Sequence, residues 1–133
     1  NVTVIVSDER VCSPILNAFD TAVILNQQSL DKFEAKVKPG GYLLYDPNGI
    51  TKKPTRKDIH VYTIEGAQLA SDMGNAKVFN MIILGAFLKI RPIIDNKNVE
   101  EGLRHSLPER AHKLIPLNME AVQKGMDNVQ EMK

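Results

Sequence analysis

Thr21-Ala22-Val23-Ile24-Leu25-Asn26 runs without a charge, and its hydrophobicity is continuous rather than alternating. A strand exposed on one face alternates with period two, so a continuous run marks a strand covered on both faces, as in parallel sheets flanked by helices. Immediately downstream, Ser29 to Val37 places Leu30, Phe33 and Val37 at helical spacing between Lys and Glu. Pro39-Gly40-Gly41 then stops the helix, and Gly40-Gly41 reads as a turn. It precedes a strand, whereas phosphate-cradling glycines precede helix N-termini.

The same alternation continues outward. Tyr42-Leu43-Leu44-Tyr45 reads as a short buried strand closed by Asp46-Pro47-Asn48-Gly49. A basic loop from Lys52 to Lys57 leads to Ile59-Ile64, whose period is closer to two and predicts an edge strand. Gly66 to Met73 reads as a brief helix stopped by Gly74, and Asn75 as the cap of a longer one reaching Ile90 before Pro92. Asn98 with Glu101 reads as a capping pair for Val99 to Leu107, and a last helix begins near Pro116 and runs toward Gln130. Upstream, Asn1-Val2-Thr3-Val4-Ile5-Val6-Ser7 has strand character with no leading turn, so further sequence is expected before it. The expectation is an α/β fold: three α/β/α layers, a mostly parallel sheet, and a helical C-terminal third.

Composition sets the bounds. With 133 residues and 43% hydrophobic content, the chain can bury one core and is too short for two ordinary domains. Lys and Arg total 17 against 16 Asp and Glu, a net charge of +1, so no overall field draws it to nucleic acid or an anionic membrane. The longest apolar stretch, Met81 to Leu88, falls far short of the roughly 20 residues needed to cross a bilayer. A cytoplasmic protein is expected. The lone Cys12 rules out an internal disulfide and the set of about four thiolates that an iron–sulfur cluster takes.

Few residues offer chemistry. Asn26, Gln27 and Gln28 fall where a strand hands over to a helix, the position at which open α/β sheets bind ligands. The competing reading has these amides satisfying backbone groups in a tight turn. Asn80 lies in the apolar helix, where an amide must find a partner; a ligand, another subunit or a neighbouring loop would each serve. Lys52, Lys53, Arg56 and Lys57 are read as a solvated loop, with phosphate or an acidic partner as the alternative. His60, His105 and His112 show no metal-ligand spacing, and neither a catalytic constellation nor a metal site is expected.

In order and spacing, Val4 to Asp8 with Ser13-Pro14, Asp20 to Gln27, Leu30 to Phe33, Val37 to Gly41, Ala70 to Asn75, Asn80 to Ala86 and Asn118 to Gly125 resemble one family. It is the gamma subunit of 2-oxoacid:ferredoxin oxidoreductases, equivalent to the gamma domain of single-chain pyruvate:ferredoxin oxidoreductases. The resemblance implies a single gamma domain over residues 1–133, lacking the family's N-terminal glycine-rich segment. It also implies an enzyme complex that converts a 2-oxoacid to an acyl-coenzyme A. The 2-oxoglutarate enzymes look nearest, with pyruvate and branched-chain members similar. Thiamine diphosphate and iron–sulfur clusters would sit on alpha, beta and ferredoxin-like subunits, with ferredoxin as acceptor. This chain would assist coenzyme A engagement and assembly, with Asn26, Gln27 and Asn80 at a partial coenzyme surface. Two other readings stand beside it: a free-standing nucleotide- or coenzyme-binding module, and a purely structural assembly subunit.

Overall fold

The computed structural model of the chain describes residues 4–6, 9–10 and 18–132. Strand β1 (Phe19–Ile24) leads through Asn26 into helix α1 (Gln27–Phe33) and a 3-10 turn at Glu34–Lys36. Strand β2 (Val37–Tyr45) follows, then β3 (His60–Thr63), α2 (Gly66–Asp72) and α3 (Phe79–Ile90). Helices α4 (Asn96–Ser106) and α5 (Ile115–Asn128) lead to a two-residue strand β4 (Gln130–Glu131). The sheet order is β1-β2-β3-β4, with β1, β2 and β3 parallel and β4 antiparallel to β3.

Alternating side chains feed two cores, one on each side of the sheet. Leu44 of β2 faces Ile82, Ala86, Ala121 and Val122 of α3 and α5, whereas Ala22, Ile24, Leu43, Tyr45 and Val61 face Leu30 of α1. Each fully buried Leu or Ile here contributes about 1.5–3 kcal/mol. The connection from β2 to β3 is an extended loop rather than a helix. Its ends, Ile50 and Ile59, pack with Phe33 on the α1 side, so loop and helix form one outer layer. Helices α2 to α5 form the other, which meets the expected three-layer, mostly parallel architecture.

Helices α3 and α5 touch backbone to backbone. A Cβ on Gly85 would lie 1.9 Å from the Val122 carbonyl oxygen, and one on Gly125 would lie 1.9 Å from that of Ile82. Only glycine admits such an approach, so each helix supplies the notch the other needs.

Several local expectations need correction. Pro39-Gly40-Gly41 belongs to β2 instead of ending a helix. Gly40 takes a left-handed φ of 80° and donates its N–H to the Asp58 carbonyl at 2.7 Å, beside a register irregularity between β1 and β2. This is a glycine-marked bulge, not a turn. Residues Ile59–Ile64 do not form an edge strand, because β4 pairs on the far side of β3. Asn98 lies inside α4, whose N-cap position is Asp95. Residues 4–6 are not in a strand, and the rest of the expected opening strand lies outside the described residues, as do Cys12 and Ser13-Pro14.

Candidate functional site

The carboxyl ends of β1, β2 and β3 converge where parallel α/β sheets bind ligands. Asn26 leaves β1 in extended conformation and caps α1, its Oδ1 accepting the Ser29 N–H at 2.8 Å. Gln27 reaches sideways. Its Oε1 accepts the backbone N–H groups of Thr51 (2.9 Å) and Lys52 (2.7 Å) and the Thr51 hydroxyl (3.2 Å), while its Nε2 donates to Asp31 at 2.9 Å. Asn26 thus has the local duty that the turn reading assigned it, whereas Gln27 satisfies backbone groups of a loop 24 and 25 residues away.

Asp46 knits this end together and is the buried polar residue of the described chain, 2% exposed. One of its carboxylate oxygens accepts from the Asn48 N–H (2.9 Å) and Asn48 Nδ2 (3.0 Å), the other from the Ala67 N–H at 3.0 Å. The turn it closes packs tightly onto β1: a Cβ on Gly49 would lie 2.0 Å from the Leu25 carbonyl oxygen. The Asx-turn half of this arrangement is legible in Asp46-Pro47-Asn48-Gly49. The bond to Ala67 is not, since it joins residues separated by β3.

Asn80 lies elsewhere. It is exposed near the start of α3, across the sheet from α1, so it does not share a layer with Asn26 and Gln27. The burial argument for its amide therefore falls away. Of the imidazoles, His60 stacks on Tyr42 with ring centroids 5.0 Å apart, and His112 Nε2 lies 2.9 Å from the Arg104 carbonyl and 3.0 Å from that of Leu107. No group of three or more His, Cys, Asp or Glu gathers to hold a metal among the described residues.

Two clefts open near this end. One of about 260 Å³ is lined by Pro47, Thr63, Glu65, Leu69, Asn128 and Gln130. The other, about 110 Å³, lies between α1 and the loop beside Gln27, Glu34, Lys52, Lys53 and Thr55. Both fall below the roughly 300 Å³ at which enclosed small-molecule pockets begin. A nucleotide-sized ligand would lie across an open surface or in a pocket completed by another chain.

The loop is anchored at its far end too. Glu34 Oε2 accepts the Thr55 N–H (2.7 Å) and the Arg56 N–H (3.1 Å), and the Arg56 guanidinium donates to the Glu34 carbonyl at 3.0 Å and to the Val37 carbonyl. Arg56 also holds Asp58 in a bidentate pair, with Nε to Oδ1 at 2.8 Å. That hydrogen bond, more than the attraction of the charges, keeps the Asp58 carboxyl below its ordinary value, against a smaller upward push from desolvation. A depressed folded-state pKa contributes stability above the ordinary carboxylate value that is lost as pH falls through the lowered one. The melting-temperature gap between wild type and Asp58→Asn is therefore expected to be open at neutral pH and to close in acid. A gap constant down to the acid limit of folding would remove Asp58 from this role. On the opposite side of the titration scale, burial raises the Tyr45 hydroxyl, which donates to Met132 Sδ at 3.3 Å.

No described helix is long and apolar enough to cross a membrane. The family model described as pyruvate ferredoxin/flavodoxin oxidoreductase matches residues 1–128. The chain is 28% identical to 2-oxoglutarate synthase subunit KorC of Methanocaldococcus jannaschii, over 97% of this chain and 68% of that protein. It is 30% identical to ketoisovalerate oxidoreductase subunit VorA of Methanothermobacter marburgensis, over 93% of this chain and 26% of that protein. Among solved structures, the gamma subunit of keto/oxoacid ferredoxin oxidoreductase from Geobacter sulfurreducens aligns with TM-score 0.69 and 28% identity, over 81% of this chain and 62% of that one. The 2-oxoglutarate:ferredoxin oxidoreductase from Magnetococcus marinus, whose structure has 2-oxoglutarate, coenzyme A and succinyl-CoA bound, aligns with TM-score 0.77 and 26% identity, over 91% of this chain and 21% of that one. The chain thus spans from about a fifth to two thirds of these relatives' lengths. Its motifs, their order and the sheet they build converge on one assignment: the chain belongs to the pyruvate ferredoxin/flavodoxin oxidoreductase family.

Proposed function

We propose that this chain is the gamma component of a 2-oxoacid:ferredoxin oxidoreductase, with 2-oxoglutarate the favoured substrate of the whole enzyme and a cytoplasmic location. The observation that carries this reading is its likeness across 91% of its length to one part of 2-oxoglutarate:ferredoxin oxidoreductase. In this reading decarboxylation on thiamine diphosphate and electron transfer through iron–sulfur clusters fall to alpha, beta and ferredoxin-like subunits. Ferredoxin is the acceptor. The lone cysteine fits that division, since it does not supply a cluster's thiolates.

The chain's own contribution is a surface for coenzyme A and for assembly. Asn26 and Gln27 at the end of β1, with Asn80 across the sheet, are the residues proposed to meet the coenzyme. The open clefts support a surface that another subunit completes. Side chains of Val23, Leu25, Ile93 and Ile94, each at least 40% exposed, support the assembly role, because apolar area of this kind is what subunit contacts cover.

The reading is tested first by purification from native cells, where thiamine- and cluster-bearing polypeptides should accompany the chain. Migration alone would sink it. In the assembled enzyme, Asn80→Ala and Asn26→Ser should raise the KM for coenzyme A about tenfold, equivalent to about 1.4 kcal/mol of lost contact. Serine still caps α1, so Asn26→Ser separates coenzyme contact from helix capping, whereas Asn26→Ala removes both. An unchanged KM in Asn80→Ala and Asn26→Ser would remove these residues from the coenzyme surface.

A further inference from the structure

Charge is distributed unevenly over this nearly neutral chain. Residues 27–59 hold seven Lys and Arg against four Asp and Glu, a net charge of +3 in a chain whose total is +1. They make up α1, β2 and the extended loop; Lys38 of β2 pairs with Asp20 at 3.4 Å, and the other exposed cations lie in the outer layer on the α1 side. Of the acids, Asp46 is buried at the sheet end and Asp58 is paired with Arg56. Lys32, Lys36, Lys52, Lys53 and Lys57 are all exposed. None pairs with a carboxylate among the described residues. Lys32 and Lys36 instead lie over the Phe33 ring, 5.2 and 5.7 Å from its centre.

The loop that carries three of these lysines is held in shape. Gln27 accepts backbone N–H groups at Thr51 and Lys52, Glu34 those at Thr55 and Arg56, and Arg56 ties the loop to the Glu34 and Val37 carbonyls. An ordered loop loses little conformational entropy on binding, which favours association. The adjoining cleft, about 110 Å³, is too small to enclose a nucleotide, and Asp31 and Glu34 on its wall oppose an anion seated inside it. Spread positive charge on an open, fixed surface instead matches spread negative charge on another protein.

We propose that the layer formed by α1 and the 50–59 loop is a docking face for an acidic protein surface, with Lys52 and Lys53 at its centre. Gln27 borders both this face and the proposed coenzyme surface, so the two assignments are told apart by ligand: carboxylates of a protein here, a coenzyme there. Electrostatic complementarity makes the contact fast and sensitive to salt.

The test uses the chain purified together with the polypeptides that accompany it, and in parallel a synthetic poly-glutamate peptide as a defined probe. Carbodiimide condenses a lysine amine with a carboxylate, forming an amide with net loss of water and no spacer, so it records pairs in contact. Lys52 or Lys53 should join to Asp or Glu of another polypeptide and to the peptide. Both yields should fall roughly tenfold at high salt, and the affinity for the poly-glutamate peptide, read by fluorescence anisotropy, should fall roughly tenfold in the Lys52→Gln/Lys53→Gln double variant. The double variant should melt with the wild type, since both side chains are exposed and unpaired. Adducts confined to lysines of the opposite layer, such as Lys97 and Lys124, would overturn the proposal. So would adducts of Lys52 and Lys53 with Asp31 and Glu34 alone. Tripolyphosphate or duplex DNA binding that the double variant loses, with no intermolecular adduct at either lysine, would overturn it in favour of a phosphate ligand.

Discussion

Gly125→Ala is expected to lower the melting temperature by on the order of 10 °C, and Gly85→Ala to do the same. Local helix preference predicts the reverse, because alanine exceeds glycine in a helix interior by about 1 kcal/mol. Packing decides the sign here. The added methyl at position 125 would lie 1.9 Å from the Ile82 carbonyl oxygen and 2.8 Å from the Ala86 nitrogen, and the one at 85 would meet Val122 backbone atoms at 1.9 and 2.7 Å. Backbone cannot swing aside as a side chain can, so α3 and α5 must separate and loosen the core around Ile82, Ala121 and Val122, all fully buried. Overpacking of this kind costs about 3 kcal/mol, and each kcal/mol moves the midpoint by roughly 3–5 °C in a domain of this size. Thermal denaturation followed by circular dichroism checks it. A melting temperature unchanged or raised in both variants would show that the helices are not in backbone contact.

Asp46→Ala should destabilise the fold by about 1–3 kcal/mol, since it removes a buried carboxylate that accepts from two backbone donors on exposed residues, which water then partly satisfies. The Asn48 and Ala67 N–H groups lose their acceptor, and α2 loses its tie to the end of β2. Asp46→Asn is the sharper probe. It conserves shape but replaces one oxygen by an NH₂ group, which must face either the Asn48 donors or the Ala67 N–H. A loss of about half that in the alanine variant is expected from urea unfolding, with the slope unchanged. Wild-type stability in Asp46→Asn would mean that only one of the carboxylate oxygens carries weight.

The layering was legible in the helical periods and in the apolar run at β1, but that run's continuity overstated burial: Val23 and Leu25 are 40% and 41% exposed, so among the described residues β1 is covered on one face and open on the other. Thr21 to Leu25 named the strand, although β1 ends at Ile24, because Asn26 turns out of the sheet to cap α1. The Pro39-Gly40-Gly41 stretch misled because glycine serves turns and bulges alike. Only the Asp58 carbonyl waiting for the Gly40 N–H distinguishes the two, and that partner is distant in sequence. Asn80 was expected in a buried environment from its apolar neighbours. Met81, Ile82 and Ile83 take the inward arc of α3 and leave Asn80 exposed. At the candidate site, position was readable and partnership was not. The place of Asn26 and Gln27 after a strand follows from local pattern, but the bonds from Gln27 to Thr51 and Lys52 cross from helix to loop. The basic loop was read as solvated charge, which describes Lys52, Lys53 and Lys57 but not Arg56, bound to two carbonyls and a carboxylate.

The last residues of the chain cross from one core to the other. After α5 leaves the helical layer, β4 pairs with β3, the Met132 N–H donates to the Val61 carbonyl at 2.7 Å, and the Met132 thioether accepts from the Tyr45 hydroxyl on the α1 side. A sheet divides the apolar interior into halves that share no side chains but share the strand β2, which sends Leu44 to one and Leu43 and Tyr45 to the other. This tail fastens the two halves further, so the molecule gains cooperativity: heat should dismantle it in one concerted step, with calorimetric and van't Hoff enthalpies in agreement.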